Sequence, residues 1–176
     1  YLAYPDEFSR GIPMAANMEI TAGEKIRIPV ERLMARVDID VDLSHLDAGV
    51  RMSLREVSVG ECPSSALLFS QSVRSGRDSH FANGYSKRLE SGSASLYLLE
   101  STGDTHGPYI QIKAEYYSPE WNTRTGEYLI YRFHLGEEPG DYNVRRNNIY
   151  HITVIPEGDG LSNTDAWSVD RSALEK

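Results

Sequence analysis

Strand periodicity runs through most of the chain. In LMARVDIDVDL, Leu33, Ala35, Val37, Ile39, Val41 and Leu43 fall on one face, and Arg36, Asp38, Asp40 and Asp42 fall on the other. That alternation predicts a strand with one buried face. Upstream, Ile26, Ile28 and Val30 alternate with Lys25, Arg27 and Pro29. A proline there predicts an edge strand, because it cannot donate to a ladder. In VRMSLREVSV, Val50, Met52 and Leu54 share one parity, whereas Val57 and Val59 hold the other. One extra residue near Arg55–Glu56 accounts for the switch, so a β-bulge is expected there.

From Cys62 to Gly92 the pattern dissolves into Ser, Gly, Asn and Arg, as in a long loop with short strand pieces around Leu67–Phe69. SLYLLE, Ser95 to Glu100, reads as a fully buried strand. YIQIKAEYYS and YLIYRFHLG flank the turn-rich PEWNTRTGE and predict a β-hairpin. A last long strand follows over Asn148–Ile155, after the turn EEPGDYN. No window carries a helical stripe, and only the terminal RSALEK suits a helical turn. About seven strands at short spacing predict an all-β domain, an antiparallel β-sandwich or barrel. The expected division is residues 1–24 as an N-terminal or interdomain segment, 25–160 as the sandwich and 161–176 as a C-terminal tail.

Composition narrows the function classes. A chain of 176 residues with 40% hydrophobic and 25% charged residues suits one globular domain with its own core. Its formal net charge of -8 argues against nucleic-acid binding, which depends on neutralising phosphates. The single cysteine, Cys62, excludes an internal disulfide and a cysteine-based zinc site. No apolar run is long enough to span a bilayer. The sequence starts at Tyr1 without a charged-then-apolar leader, as a processed or partial polypeptide would.

Candidate chemistry is sparse. The aspartates of VDIDVDL raise a calcium reading, but same-face neighbours on a strand start roughly 6.6–6.8 Å apart, too far for adjacent members to chelate easily. An EF-hand register fails too, placing Leu43 where glycine belongs and Gly49 where the closing glutamate belongs. A solvated strand face, opposite Arg51 and Arg55 on the next strand, is the simpler reading. His45, His80, His106, His134 and His151 lack the close spacing of a zinc pair. No GxSxG, P-loop or GxGxxG motif occurs. No catalytic, metal-binding or cofactor-binding residue is therefore assigned, and the chain is read as a non-enzyme. Trp121, in a polar hairpin loop, is a candidate glycan contact if its ring is presented to solvent, or else folds over the sheet edge. VRRNN reads as the turn into the last strand. Asn147 suits a positive φ, with Arg145 and Arg146 at the surface or capping.

Several segments together resemble the fimbrial subunits of Bacteroidales, the fimbrillin-like subunits of type V pili. Pro13-Met14 followed by Val30, Arg32, Ala35, Arg36 and Val37 is similar to the stretch leading into that family's first long strand. SLYLLES is similar to its tyrosine-bearing strand, although Glu100-Ser101 stands where the family has Glu-Asn. Tyr131, Leu135, Gly136, Tyr142, Asn143, Val144, Arg146, Asn147, Tyr150, Ile152, Val154 and Gly158 match its last segment in order. The resemblance implies a transthyretin-like sandwich, the C-terminal domain of a two-domain subunit. It also implies an extracellular, outer-membrane-associated location and a lipoprotein precursor whose lipidated cysteine this chain lacks. Other fimbrial subunits, and host or bacterial surface ligands, are the implied partners. Subunits of that family polymerise by strand exchange, a form of β-augmentation. Ala166, Trp167, Ser168 and Val169 are the candidate polymerisation strand here, with Trp167 and Val169 on one side and Ala166 and Ser168 on the other. The same residues also suit a strand that closes the chain's own sheet.

Overall fold

A computed structural model describes residues 11–23, 25–63, 66–69, 81–82, 86–102, 107–120, 127–136, 138, 140–164, 167–172 and 174. Among them are strands β1 (Met14–Ala15), β2 (Glu31–Arg32), β3 (Met34–Val41), β4 (Arg51–Gly60), β5 (Cys62–Pro63) and β6 (Phe81–Ala82). The rest are β7 (Ser86–Arg88), β8 (Ser93–Leu99), β9 (Tyr109–Tyr117), β10 (Tyr128–His134), β11 (Ile149–Val154) and β12 (Ser168–Asp170). The described residues contain no helix, and the expected all-β sandwich is the architecture.

Of the two larger sheets, one has five antiparallel strands in the order β12-β10-β9-β4-β7 and the other three in the order β11-β3-β8, and β1-β2 and β5-β6 form two-stranded ribbons. Val37 and Ile39 of β3 and Leu96 and Leu98 of β8 meet Val57 of β4, Ile110 and Ile112 of β9 and Leu129 of β10 in one core, all essentially without exposure. Each such side chain stabilises the fold by roughly 1.5–3 kcal/mol before chain entropy is set against it. The predicted bulge is present: Leu54 pairs with Ala114 and Glu56 with Lys113, so Arg55 is the extra residue. It lets Met52 and Leu54 share the inner face with Val57 and Val59 despite their opposite parity.

Four expectations change. Residues 25–30 form no strand and lie exposed. Alternation alone does not make a strand when no sheet edge is available to pair with it. Leu67–Phe69 likewise form no strand, and the short strands of that region are β5, β6 and β7. β11 runs parallel to β3, so the smaller sheet is mixed rather than antiparallel. β4 belongs to the opposite sheet, so Arg51 and Arg55 do not face the aspartates of β3. Those carboxylates pair locally instead. Asp38 accepts from Ser95 Oγ at 2.6 Å and Arg36 Nε at 2.7 Å, and Asp40 accepts from Ser93 Oγ at 2.6 Å.

Arg146, expected at the surface or capping, takes the second role, with a half-buried guanidinium that closes backbone carbonyls. Its Nε donates to Glu100 Oε2 at 2.8 Å, and its two terminal nitrogens donate to the carbonyls of Leu68 at 3.2 Å and Leu67 at 2.8 Å. The Arg146 side chain is 11% exposed and that of Glu100 is 2% exposed. Next to it, Asn147 takes a φ of 61°, as its residue type allowed, and its side chain accepts from the Arg32 N–H at 3.3 Å. The end of β8, the start of β11 and the Leu67–Leu68 segment are thus tied at one point. Arg146→Ala takes the paired guanidinium away from the buried Glu100 carboxylate and should lower stability by about 3–5 kcal/mol in a urea titration. A loss below about 1 kcal/mol would mean that water reaches Glu100.

Candidate functional site

β10 alternates Leu129, Tyr131 and Phe133 inward with Tyr128, Ile130, Arg132 and His134 outward. β12 pairs antiparallel with it through Ile130–Asp170, Tyr131–Val169 and Arg132–Ser168. Facing residues in an antiparallel pair share a side, so Val169, and Trp167 two residues before it, point the same way as Tyr131. Both pack against the core, whereas Ser168 and Asp170 are exposed. Ala166 and Trp121 lie outside the described residues.

The tail turns sharply before β12. Thr164 N–H donates to the Trp167 carbonyl at 2.9 Å, and Trp167 N–H donates to Thr164 Oγ1 at 3.1 Å. Asn163 Oδ1 takes the Val169 N–H at 2.7 Å, occupying a backbone donor of this short edge strand. Beyond β12, Leu174 N–H donates to the Arg171 carbonyl at 3.0 Å, a single turn in the RSALEK segment. Leu161 and Leu174 are both buried, so the tail completes part of the core. Leu161, at the start of the expected C-terminal tail, is one of its anchors.

The tail departs from a pinned turn. Tyr131 Oη donates to the Gly160 carbonyl at 2.6 Å, and Tyr116 Oη donates to the Asp159 carbonyl at 2.8 Å. Gly160 has φ +72°, where a side chain is strained, and a Cβ there would lie 2.2 Å from Met52 Cε and displace it. Burial pushes the Tyr131 phenol far above its ordinary pKa and also raises that of Tyr116. The missed signal is an inward phenol among aliphatic neighbours, which needs a buried acceptor.

The larger-sheet edge at β10 and β12 faces the smaller-sheet edge at β11 across a seam. Two cavities lie along it. One of about 600 Å³ is lined by Tyr131, Thr153, Ile155, Asp159, Thr164 and Trp167, among others. A second of about 310 Å³ is lined by Phe133, His134, Tyr150, Ile152 and Trp167, among others. The Trp167 ring lines both. Its Nε1 is shielded from solvent and has no hydrogen-bond partner among the described residues.

The seam offers little for catalysis. His134 Nδ1 lies 3.1 Å from the Pro108 carbonyl, and its ring stands edge-on to Tyr109 and Tyr142. His151 is on the outer face, 3.6 Å from Asp38. Among the described residues no three His, Cys, Asp or Glu side chains gather as metal ligands.

Comparison with known proteins gives a fold and a partial domain match. A family model, DUF4906, described as a domain of unknown function, matches residues 83–154. No curated protein matches the chain. A candidate cell adhesion protein from Parabacteroides distasonis has a similar structure, with a TM-score of 0.55 and 14% identity over 84% of this chain and 46% of that one. Another candidate cell adhesion protein, from Bacteroides eggerthii, gives 0.52 and 12% over 84% of this chain and 55% of its own. The chain therefore spans about half the length of these two proteins, and likeness at such identities is likeness of fold.

Tyr131→Phe should cost about 1–3 kcal/mol, because it strands the buried Gly160 carbonyl. The raised phenol pKa also fixes a pH dependence. Unfolded tyrosine releases its proton near pH 10 while the folded one retains it, so the unfolded state binds fewer protons and stability falls as pH rises past about 10. Thermal melts from pH 8 upward should show that decline, and Tyr131→Phe should flatten it.

Proposed function

We propose that this chain is a structural and adhesive subunit of a bacterial cell-surface fimbria that assembles by β-strand exchange. The observation that carries the reading is the underfilled seam. The tail pairs with β10 over only three residues, places Trp167 and Val169 in the gap, and leaves cavities of about 600 and 310 Å³ beside the Trp167 ring. A longer strand from another subunit, with apolar side chains at alternate positions, would pair with β10 and fill both. The shielded, unpartnered Trp167 Nε1 supports a seat that the tail fits imperfectly.

Fold likeness to two candidate cell adhesion proteins of Bacteroidales supports an adhesive role at the cell surface. Under this reading the parent polypeptide is an extracellular, outer-membrane-associated protein made as a lipoprotein precursor. Its partners are other fimbrial subunits and a surface ligand, and it is not an enzyme. No helix among the described residues is long and apolar enough to cross a membrane.

Ala166, Trp167, Ser168 and Val169 serve in this scheme as the exchangeable strand, with Leu161 and Leu174 as its anchors. A chain ending at Gly160 loses about 5 kcal/mol of apolar burial and should melt roughly 10–20 °C lower. A synthetic peptide of residues 161–176 should restore the melting temperature saturably. Exchange would be refuted by a truncated chain that melts like the full one, or by a peptide without effect on a folded, destabilised chain.

A further inference from the structure

The chain enters β11 at a junction that Arg146 holds together. Its guanidinium donates to the Glu100 carboxylate, at the end of β8, and to the carbonyls of Leu67 and Leu68. The β1–β2 hairpin closes the other side, with the Arg32 N–H on Asn147 Oδ1 and the Leu33 N–H on the Pro13 carbonyl. Between these segments lies a cavity of about 430 Å³, with Glu100 and Arg146 in its lining. Its walls are of two kinds: Pro29, Leu33, Leu68 and Phe69 are apolar, whereas Asn17, Glu31, Arg145 and Asn148 are polar. Phe69 is 62% exposed although the chain just before it is fixed by Arg146.

The polar wall is unused by the fold. The side chains of Asn17, Glu31, Arg145 and Asn148 are exposed and make no hydrogen bond or ion pair among the described residues. Each ends in a planar group with polar atoms side by side, so each can take two neighbouring hydroxyls at once. The amides donate and accept, the carboxylate accepts and the guanidinium donates. The exposed Phe69 ring adds a flat apolar face. Charge in the cavity is balanced, Arg145 and Arg146 against Glu31 and Glu100, and Glu61, Glu138 and Asp141 lie at the same end of the sandwich. A phosphate or a polyanion requires a positive excess, which this end lacks. A lipid chain or an apolar peptide would bury the four free polar groups without partners.

We propose that this cavity binds the terminal sugars of a neutral glycan, with a ring face on Phe69 and hydroxyls on Asn17, Glu31, Arg145 and Asn148. A sugar carries adjacent hydroxyls that both donate and accept around its rim, and C–H groups on its faces, so it matches both kinds of wall. The volume lies within the range of small-ligand sites, roughly 300–1,000 Å³. Arg146 holds the Leu67–Leu68 backbone in place before any ligand arrives, which lowers the ordering cost of binding. The site is separate from Trp121, and its lining shares no residue with the two seam cavities. The proposal deepens the adhesive half of the proposed function by naming the chemistry of the surface ligand, and it rests on that half for its biological role. Strand exchange does not enter it.

Binding of the full chain to an array of oligosaccharides tests it. The probes are neutral glycans ending in glucose, galactose, mannose, N-acetylglucosamine or fucose, beside sialylated and sulfated ones. Binding confined to neutral probes is expected. Phe69→Ala and Arg145→Ala should each weaken it about tenfold with the melting temperature unchanged, because both side chains are exposed. Trp121→Ala should bind like the wild type. The site is overturned if no neutral probe binds, if only anionic probes bind, or if binding survives both Phe69→Ala and Arg145→Ala. Retention of the chain on a mucin-coated surface separates this site from adhesion itself. Loss of retention is expected after periodate oxidation of the mucin sugars, and also with Phe69→Ala. Retention that survives both leaves adhesion standing and sinks the glycan site, whereas array binding without retention leaves the site standing and counts against the adhesive role.

Discussion

The parallel pairing of β11 with β3 is the constraint on which the rest of this molecule depends. β11 is paired on one edge only, in a sheet of three described strands against five in the facing sheet. A three-stranded layer cannot cover a five-stranded one, so the inward residues of β10 must be covered by something else. The tail does this with Leu161, Trp167, Val169 and Leu174. A closed antiparallel sandwich would have no such role for a terminal segment. Here an incomplete core and a sheet edge coincide, which is the arrangement that strand addition requires.

Placing β11 correctly depends on the knot at its start. The Glu100–Arg146 pair lies between the end of one strand and the beginning of another in the same sheet, and Asn147 supplies the left-handed turn between them. Ion pairs of this depth seldom add much net stability compared with apolar packing. Their contribution is geometric. The planar guanidinium has donors enough for a carboxylate and two carbonyls at once, and that fixes where Leu67 and Leu68 leave the body of the fold. One residue thereby joins the start of β11 to the end of β8 and to the Leu67–Leu68 segment.

Much of the fold was legible because alternation survives wherever a strand has one wet and one dry face. β3, β9 and β10 read directly, and the parity switch in β4 located the bulge to the residue. Alternation does not carry strand direction, so the parallel pairing of β11 was not readable. Nor does it say whether a partner exists, and Ile26, Ile28 and Val30 alternate without one. Arg146 was legible as a surface or capping residue, but its partner was not, because Glu100 lies 46 positions away in the chain. The tail showed its parity at Trp167 and Val169. Its reversal at Thr164 and its anchoring through Leu161 and Leu174 depend on a seam that no local pattern reveals.

The tethered tail also sets a threshold for any strand that displaces it. A segment joined to its own groove by a short linker competes at a millimolar effective concentration. A donor therefore needs roughly 4 kcal/mol more than equal pairing to win at micromolar concentration, since each factor of ten is about 1.4 kcal/mol. Main-chain hydrogen bonds alone cannot supply this, because the tail and the donor would make similar ladders with β10. The difference must come from side chains. Two aliphatic or aromatic groups, one for each cavity beside the Trp167 ring, would contribute roughly 1.5–3 kcal/mol apiece, enough to reach the threshold. Under strand exchange, selectivity would then lie in the cavities. A strand with small or polar residues at those positions would lose to the tail, and one with two well-placed apolar residues would replace it.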